Sequence, residues 1–415
     1  MTRPPVREAA RLLSGAGLAA ALLLPTAVQA QAASPSRVPA ADGKKGQELP
    51  GMPSALDPEA EVVCTPASRE KAKKQDWSRQ RLDLDRLHRH GTGAGVTVAL
   101  IGTGVDPEAA GLGGRVTAAG QAADDCVGHG TFLAGLIAGT GGDSPRLAGV
   151  APGAEILALR GTDRRGQAET DLVVEAVREA TAAEADVIAV AVALPRQDPA
   201  LSGAVAEARR SGAVVVAAAT PDPPAQGGTE EIPSRTYWPA GEPGVLSVAG
   251  MLPGGARPDG SLPTGGIDLA APGAGVVSGG PRGDGHYLGG GVPVATAYAA
   301  GAAALVRAAH PDDSPEDVVR RLTATAYPAD IPQLDAYAAV TTVLGAPAGP
   351  AGAERAADPV TVRDTSAADR ATGRATLFVL LGSAAVLSVL WAGFALTRAR
   401  ARGWRPAGAA GTPTE

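Results

Sequence analysis

The chain has 415 residues, of which 45% are hydrophobic, and a formal net charge of −6. This length accommodates one large domain with appendages, and the acidic balance argues against a nucleic-acid partner, which needs a clustered basic face. The five histidines show no ligand spacing, so we expect neither a metal nor another cofactor. His88 and His90, two residues apart, are expected to lie on a solvated linker.

Residues 1–30 have the pattern of a secretory signal peptide. Basic residues precede a short apolar run, Gly17–Leu24, and Ala30 offers a cleavage site. The run is too short to span a bilayer stably, although an uncleaved anchor is the alternative. We therefore expect the rest of the chain to be exported.

Residues 31–91 are predicted to form an N-terminal extension that begins with a flexible arm rich in Pro, Ala, Gly and Ser. The extension holds Cys64, and Cys126 lies further along the chain. An even number of cysteines in an oxidising compartment predicts one disulfide, with two free buried thiols as the alternative.

Residues 92–344 alternate between apolar runs and helical stretches, which predicts an α/β domain. Because parallel strands are joined by crossover helices, we expect a parallel sheet with helices on both faces. The runs predicted as strands are 96–101, 156–159, 187–194 and 214–219, and the main helical stretches are 77–90, 170–183 and 204–210.

The C-terminal part is predicted to hold a linker, a membrane span and a short tail. Residues 345–374 are rich in Pro, Ala and Gly, and residues 375–397 form an apolar stretch long enough to cross a bilayer. Arginines dominate the tail, 398–415, which predicts that the tail is cytoplasmic. We expect a single-pass protein of the cell membrane with its main domain outside the cytoplasm. A buried core helix is the alternative for 375–397.

Five segments in order resemble landmarks of the subtilases, the subtilisin-like serine proteases. The sharpest is Gly128-His129-Gly130-Thr131, a histidine at the start of a helix that small residues allow to pack closely. The other four are Val96–Gly104, Gly149–Ala154, Asp268–Gly273 and Gly301–Arg307. The resemblance implies a subtilisin-like fold.

The order of signal, extension, domain and anchor resembles the mycosins, the membrane-anchored subtilases of type VII secretion systems. A cysteine just ahead of the histidine, Cys126 before His129, agrees with them. The resemblance implies a disulfide between Cys64 and Cys126 that pins the N-terminal extension. It also implies a membrane complex of a type VII secretion system as the partner.

The family's catalytic pattern is largely missing. Where the resemblance implies an aspartate the chain has Gly102, and where it implies the nucleophilic serine it has Pro293. His129 occupies the position of the general base. The oxyanion asparagine is replaced at Thr220 and Pro221, and the chain contains no asparagine at all.

Nearby polar residues are weak substitutes for the missing groups. Asp106 lies beyond the strand end and is expected to face solvent or cap its loop. Thr296 is expected to pack within its helix, and nothing in the pattern supports Gln226 as an oxyanion donor. Because loss of a triad serine or histidine costs roughly a million-fold in rate, little catalysis is expected.

Three functions are compatible with this pattern. The first is a catalytically inactive subtilase, a pseudoprotease that serves a type VII secretion system as a structural or assembly component. The second is a receptor that binds a peptide or protein ligand in the old substrate cleft, with 190–194 as the edge strand. The third is an atypical hydrolase with relocated residues, for which His129, Asp124, Asp125, Thr103 and Thr296 are the candidates.

Overall fold

The computed structural model describes residues 48–141, 147–222, 234–345 and 366–403. The predicted signal peptide, the start of the N-terminal arm, Gln226, most of the predicted linker and the end of the tail lie outside these ranges. The chain divides into two compact units between Leu344 and Gly345.

The first unit is built on a seven-stranded sheet in which every neighbouring pair is parallel, in the order β2-β3-β1-β4-β5-β6-β7. Two further strands, β8 and β9, form an antiparallel hairpin. The strands are β1 Thr97–Gly102, β2 Val116–Ala118, β3 Glu155–Arg160, β4 Val187–Val190, β5 Val214–Ala218, β6 Leu246–Met251, β7 Leu269–Pro272, β8 Val276–Gly279 and β9 His286–Gly289.

Helices cover both faces of the sheet. The helices of the first unit are α1 Trp77–Leu82, α2 Leu84–Leu87, α3 His129–Ala138, α4 Thr170–Ala182, α5 Pro199–Arg210, α6 Val292–Ala309, α7 Pro315–Ala324 and α8 Ala336–Thr341. On one face α3 packs against α6, and α6 runs beneath the central strands. On the other face α4 and α5 pack together against the sheet.

Alternation along the strands produces a separate hydrophobic core on each face. In β1, Val98 and Leu100 belong to the core beneath α3 and α6, whereas Ala99 and Ile101 belong to the core beneath α4 and α5. Successive side chains of a strand point to opposite faces, so a fully apolar strand must be buried on both sides. The predicted α/β class with a parallel sheet and helices on both faces is therefore confirmed.

Several sequence-based boundaries differ from the structure. The strand predicted over 187–194 ends at Val190, and the backbone of Leu194 pairs instead with Trp238 in an antiparallel bridge. The helix predicted over 204–210 begins earlier, at Pro199, because the Asp198 side chain accepts hydrogen bonds from the first free backbone N–H groups. The stretch 77–90 forms two short helices, α1 and α2, rather than one.

The prediction that His88 lies on a solvated linker is wrong. Its ring is half-buried, and Nε2 lies 3.1 Å from the carbonyl oxygens of both Gly149 and Val150. The burial lowers the pKa of His88. His90, by contrast, is exposed.

The second unit contains one long helix, α9, at Ser366–Ala401. Its part Phe378–Ala401 has a mean hydropathy of 2.1 over 24 residues and is long and apolar enough to cross a membrane. Helix α6 passes the same test of length and composition, but it is buried in the core of the first unit.

Candidate functional site

The loops at the carboxyl edge of the sheet bring together most residues that the sequence singled out. Thr103 follows β1, residues 161–167 follow β3, and Thr220 follows β5. The starts of α3 and α6 join them, because Gly130 donates to Thr103 and Val292 donates to Asp222. Crevices at this edge of a parallel sheet are the usual binding sites of α/β proteins.

Asp125 organises the start of α3. Its buried carboxylate accepts hydrogen bonds from Gly128 N at 2.8 Å, Thr131 N at 2.8 Å and the Thr131 hydroxyl at 2.7 Å. Thr103 adds a fourth hydrogen bond, at 2.9 Å. Burial raises the pKa of Asp125, and the four hydrogen bonds oppose that rise. The carboxylate is thus committed to capping the helix and attaching it to the end of β1.

His129 is the first residue of α3 and is 5% exposed. Within the ranges that the structure describes, its Nε2 has no hydrogen-bond partner. Burial lowers the pKa of His129 to about 4, so the imidazole is neutral at physiological pH. A neutral imidazole is the form that a general base requires, but a base also needs an orienting acceptor and a nucleophile.

Gly102 ends β1 with no side chain to orient an imidazole. A Cβ placed on Gly102 would meet its nearest neighbour, Ala191 Cβ, at 3.8 Å, an ordinary van der Waals contact. The site therefore has room for at least the first atom of a larger side chain. The glycine at this position is not required by close packing at Cβ.

Pro293 lies in the first turn of α6, as its lack of a backbone N–H predicts. The residue is buried, and Gly291, two positions earlier, has φ 121, a conformation that favours glycine. The nearby Thr296 is fully buried, and its hydroxyl donates to Val292 O at 3.0 Å. The expectation that Thr296 packs within its helix is confirmed.

Asp222 is a site residue that the sequence interpretation missed. Its carboxylate accepts a 2.8 Å hydrogen bond from Val292 N, the first N–H of α6, and another from the Ser54 hydroxyl. Burial raises the pKa of Asp222, and both hydrogen bonds oppose the rise. Its position just after a predicted strand could have marked Asp222 as a site residue. The neighbouring sequence, however, does not show which helix the carboxylate caps. Thr220, two residues earlier, is fully buried, and its hydroxyl has no partner among the described residues.

Asp106 and Asp124 are each engaged in other contacts. Asp106 is partly exposed and accepts from Glu108 N at 2.9 Å, so it caps its own turn as expected. Asp124 is exposed and lies 3.7 Å from Arg164. Among the described residues, no group of three or more His, Cys, Asp and Glu side chains is arranged to hold a metal ion.

The predicted disulfide is present between Cys64 and Cys126, which are 62 positions apart. Beside it, Thr65 N donates to Cys126 O at 2.9 Å, and the Thr65 hydroxyl donates to Val127 O at 2.6 Å. The N-terminal extension is therefore attached directly ahead of α3 and His129.

Comparison with known protein families agrees with this architecture. The sequence model of the subtilase family matches residues 93–368, two thirds of the chain. The chain belongs to the subtilase family. Its subtilisin-like α/β fold, expected from the five motifs, is thereby confirmed.

Among curated relatives, this subtilase is similar to mycosins. It is 31% identical to mycosin-3 of Mycobacterium tuberculosis over 393 residues, covering 78% of this chain and 83% of the relative. It is 32% identical to mycosin-4 of the same organism over 392 residues, covering 82% and 86%. Subtilisin E of Bacillus subtilis is 31% identical over 291 residues, covering 69% and 74%.

Solved structures give the same relationship. The serine protease MycP1, described as an essential component of the type VII (ESX-1) secretion system, superposes with a TM-score of 0.59 at 28% identity. That match covers 72% of this chain and all of MycP1. MycP3 protease from the type VII (ESX-3) secretion system superposes with a TM-score of 0.58 at 28% identity, covering 72% and 98%. The chain is a mycosin-like subtilase, related to components of type VII secretion systems.

Proposed function

We propose that this mycosin-like subtilase is a pseudoprotease that serves as a membrane-anchored structural or assembly component of a type VII secretion system. The observation that carries the proposal is Pro293 in the first turn of α6, where the family's motif leads us to expect the nucleophilic serine. Proline supplies neither a hydroxyl to attack a carbonyl nor a backbone N–H to stabilise an oxyanion.

The surroundings of His129 support the loss of catalysis. Gly102 offers no acceptor to orient the imidazole, and Thr220 with Pro221 stands where the family carries its oxyanion asparagine. A mutant that lacks only the serine or histidine of a triad loses roughly a million-fold in rate. The activity that remains in such mutants comes largely from the oxyanion hole, and both usual donors of that hole are also missing at the positions where the family carries them.

A hydrolase with relocated residues is disfavoured because the candidate groups are already committed. The Asp125 carboxylate accepts four hydrogen bonds that hold α3 and β1 together. The Thr103 hydroxyl is one of those donors, and the Thr296 hydroxyl donates to its own helix. Using any of these groups in catalysis would first require breaking a buried hydrogen bond.

The anchoring part of the proposal rests on α9. Its apolar part, Phe378–Ala401, has the length and hydropathy of a membrane span, and arginines at 398, 400 and 402 cluster at the C-terminal end of this stretch. By the positive-inside rule these arginines favour a cytoplasmic tail and an extracytoplasmic subtilase domain. MycP1 and MycP3, which this chain resembles, are described as parts of type VII systems.

A peptidase assay tests the loss of catalysis. The full chain, purified in detergent, is incubated with fluorogenic unfolded casein beside its His129→Ala variant. We expect no turnover above buffer for either protein. Turnover by the wild-type chain that disappears in His129→Ala would overturn the proposal and revive the hydrolase.

Complementation and co-purification test the structural role. In cells lacking the gene, we expect His129→Ala to restore type VII secretion as well as the wild-type chain does. A variant lacking 366–403 should fail to restore it. A C-terminally tagged wild-type chain should co-purify with the membrane subunits of the system. Full secretion without the gene, or a tagged chain that purifies alone, would reject the role.

The alternative function, a receptor that binds a peptide against residues 190–194, is less favoured. Leu194, at the end of 190–194, already pairs with Trp238 through two backbone hydrogen bonds of 2.8 and 2.9 Å. Ala191 likewise donates its N–H to Ile101 O at 2.9 Å. An added peptide strand would have to displace part of this pairing.

A further inference from the structure

The C-terminal end of α9 carries a dense set of positive charges. Arg398, Arg400, Arg402 and Arg405 follow one another closely, and residues 370–414 contain no aspartate and no glutamate. The sequence around these arginines therefore holds no carboxylate that could neutralise them. Clusters of four or more basic residues beside a membrane span attract anionic phospholipids.

Helical geometry divides the arginines between two faces. Arg402 N donates to the backbone oxygen of Arg398 at 3.2 Å, so helical hydrogen bonding continues across the turn that joins them. Side chains four positions apart in a helix lie on the same face. Arg400 is two positions from each of them and therefore points to the opposite side of the helix. All three residues are exposed.

The face that holds Arg398 and Arg402 continues into two aromatic side chains. Phe394 precedes Arg398 by four positions and Trp391 precedes Phe394 by three, which places all four residues on one side of α9. The Arg398 guanidinium carbon lies 5.7 Å from the centre of the Phe394 ring, within the range of a cation–π contact. Trp391 is 73% exposed and Phe394 is 60% exposed. We call these four residues the aromatic–arginine face.

The order of side chains on this face matches the order of groups in a phospholipid. Trp391 and Phe394 belong to the uncharged stretch 375–397, beside which acyl chains would pack. Arg398 and Arg402 lie one and two turns beyond Phe394, towards the headgroups. A planar guanidinium donates two parallel hydrogen bonds to phosphate oxygens, and the contact with the Phe394 ring orients one guanidinium before a lipid binds.

We infer that the aromatic–arginine face is a binding site for one anionic phospholipid. Its phosphate lies between Arg398 and Arg402, and its acyl chains lie against Phe394 and Trp391. The two guanidinium groups favour an uncharged headgroup such as glycerol over choline, because they repel the choline ammonium. The inference rests on the anchoring part of the proposed function, since α9 must cross the membrane. It does not depend on the loss of catalysis or on a secretion partner.

A diffuse attraction between the whole basic end and an anionic surface would have a different signature. Each arginine would then strengthen lipid binding by a similar factor, about fivefold, whichever way it points. A binding site makes the contribution depend on the face of the helix. Arg400 is the matched control, because it lies between Arg398 and Arg402 in the sequence but on the opposite side of α9.

The test measures lipid binding to the full chain. The wild-type chain and its Arg398→Gln, Arg402→Gln and Arg400→Gln variants are purified in an uncharged detergent and titrated with phosphatidylglycerol or phosphatidylcholine. The titrations are made at about 0.15 M salt, where charges more than about 8 Å apart are screened. Native mass spectrometry counts the bound lipids and gives the dissociation constants. Flotation with vesicles of phosphatidylcholine alone checks that each protein inserts into a membrane.

We expect one phosphatidylglycerol to bind each wild-type chain, at least about tenfold more tightly than phosphatidylcholine does. Arg398→Gln and Arg402→Gln should each weaken this binding by about fivefold. Arg400→Gln should weaken it by less than about twofold, because its charge lies on the other face and is screened. Phe394→Leu removes the ring beside Arg398 but keeps an apolar side chain, and should weaken binding by about twofold to fivefold.

Three results would overturn the inference. Equal losses in Arg398→Gln and Arg400→Gln would show a diffuse attraction rather than a site. Equal affinity of the wild-type chain for the two lipids would show that no headgroup is recognised. A wild-type chain that does not float with phosphatidylcholine vesicles would reject the membrane anchor itself, and the lipid site with it. Normal flotation together with unselective lipid binding would reject the lipid site alone.

Discussion

The Thr103 hydroxyl donates a 2.9 Å hydrogen bond to the Asp125 carboxylate, although 22 positions separate the two residues. Thr103 also accepts from Gly130 N at 2.7 Å. This pair attaches the end of β1 to the start of α3 and so determines where His129 stands. These hydrogen bonds hold the carboxyl edge of the sheet in place whether or not the His129 imidazole is catalytic.

Replacing Asp125 should strongly destabilise the domain. We expect Asp125→Ala to lower the free energy of unfolding by about 3 kcal/mol, because four donors lose a buried, charged acceptor. Urea titration followed by tryptophan fluorescence measures the change. Asp124→Ala removes the neighbouring exposed carboxylate and should cost less than about 1 kcal/mol. Equal losses for the two variants would contradict the assignment of Asp125 as a helix cap.

His129 should make the domain sensitive to acid. Its pKa falls from 6.5 to about 4 on folding, so the unfolded chain binds more protons than the folded one between these values. The contribution that neutral His129 makes to the free energy of unfolding is therefore fully present above pH 6.5. It is lost as the pH falls towards about 4, by about 3 kcal/mol in total.

The His129→Gln variant should have a smaller loss of stability over this pH range, whatever its stability at neutral pH. The exposed His90 provides the matched control, because His90→Gln makes the same substitution at the surface and leaves α3 untouched. The measurement is the free energy of unfolding at a series of pH values from 7 down to about 4. An unchanged slope in His129→Gln would mean that other groups cause the acid sensitivity.

A buried ion pair attaches α1 of the N-terminal extension to the core. Arg79 is 1% exposed and pairs with Asp76. The guanidinium also donates to three backbone carbonyls, those of Leu147, Ala148 and Val277. All three guanidinium nitrogens of Arg79 therefore donate hydrogen bonds.

Removing one member of this pair should be costly. We expect Asp76→Asn or Arg79→Met to lower the free energy of unfolding by about 3–5 kcal/mol, because either change leaves the other charge buried without its partner. Arg210 pairs with Glu207 at 2.6 Å on the surface, so Arg210→Met should cost less than about 1 kcal/mol. Thermal melts of Asp76→Asn, Arg79→Met and Arg210→Met compare the stability lost at the buried pair with that lost at the surface pair. A loss below 1 kcal/mol on Asp76→Asn would be contrary to this expectation.

The disulfide should contribute substantially to stability. Cys64 and Cys126 are 62 positions apart, and on the chain-entropy model a loop of this length gives about 4 kcal/mol. We expect the double variant Cys64→Ser with Cys126→Ser to lose this amount. A thiol reductant should destabilise the wild-type chain similarly and leave the double variant unchanged. A reductant effect on the double variant would point to a cause other than this disulfide.

Features governed by neighbouring residues could be predicted from the sequence. The apolar run that became β1 and the helical stretch that became α4 were found within one or two residues, because side-chain periodicity depends on local geometry. Pro293 lies in the first turn of α6 for a local reason, because a residue without an N–H is tolerated best where that N–H would have no partner. The disulfide followed from there being only two cysteines in a chain expected to be exported. The early start of α5 was also readable, from Asp198 followed by Pro199, but was missed.

Features that depend on distant residues were decided by the tertiary structure alone. Asp222 caps a helix that begins 70 positions later, and Ser54 reaches the same carboxylate from the N-terminal extension. His88 lost its expected exposure because it packs beside Gly149 and Val150. The low pKa of His129 comes from desolvation by everything packed around it. Local preference acts over a few residues, whereas burial and long-range hydrogen bonds arise only once the sheet has brought distant segments together.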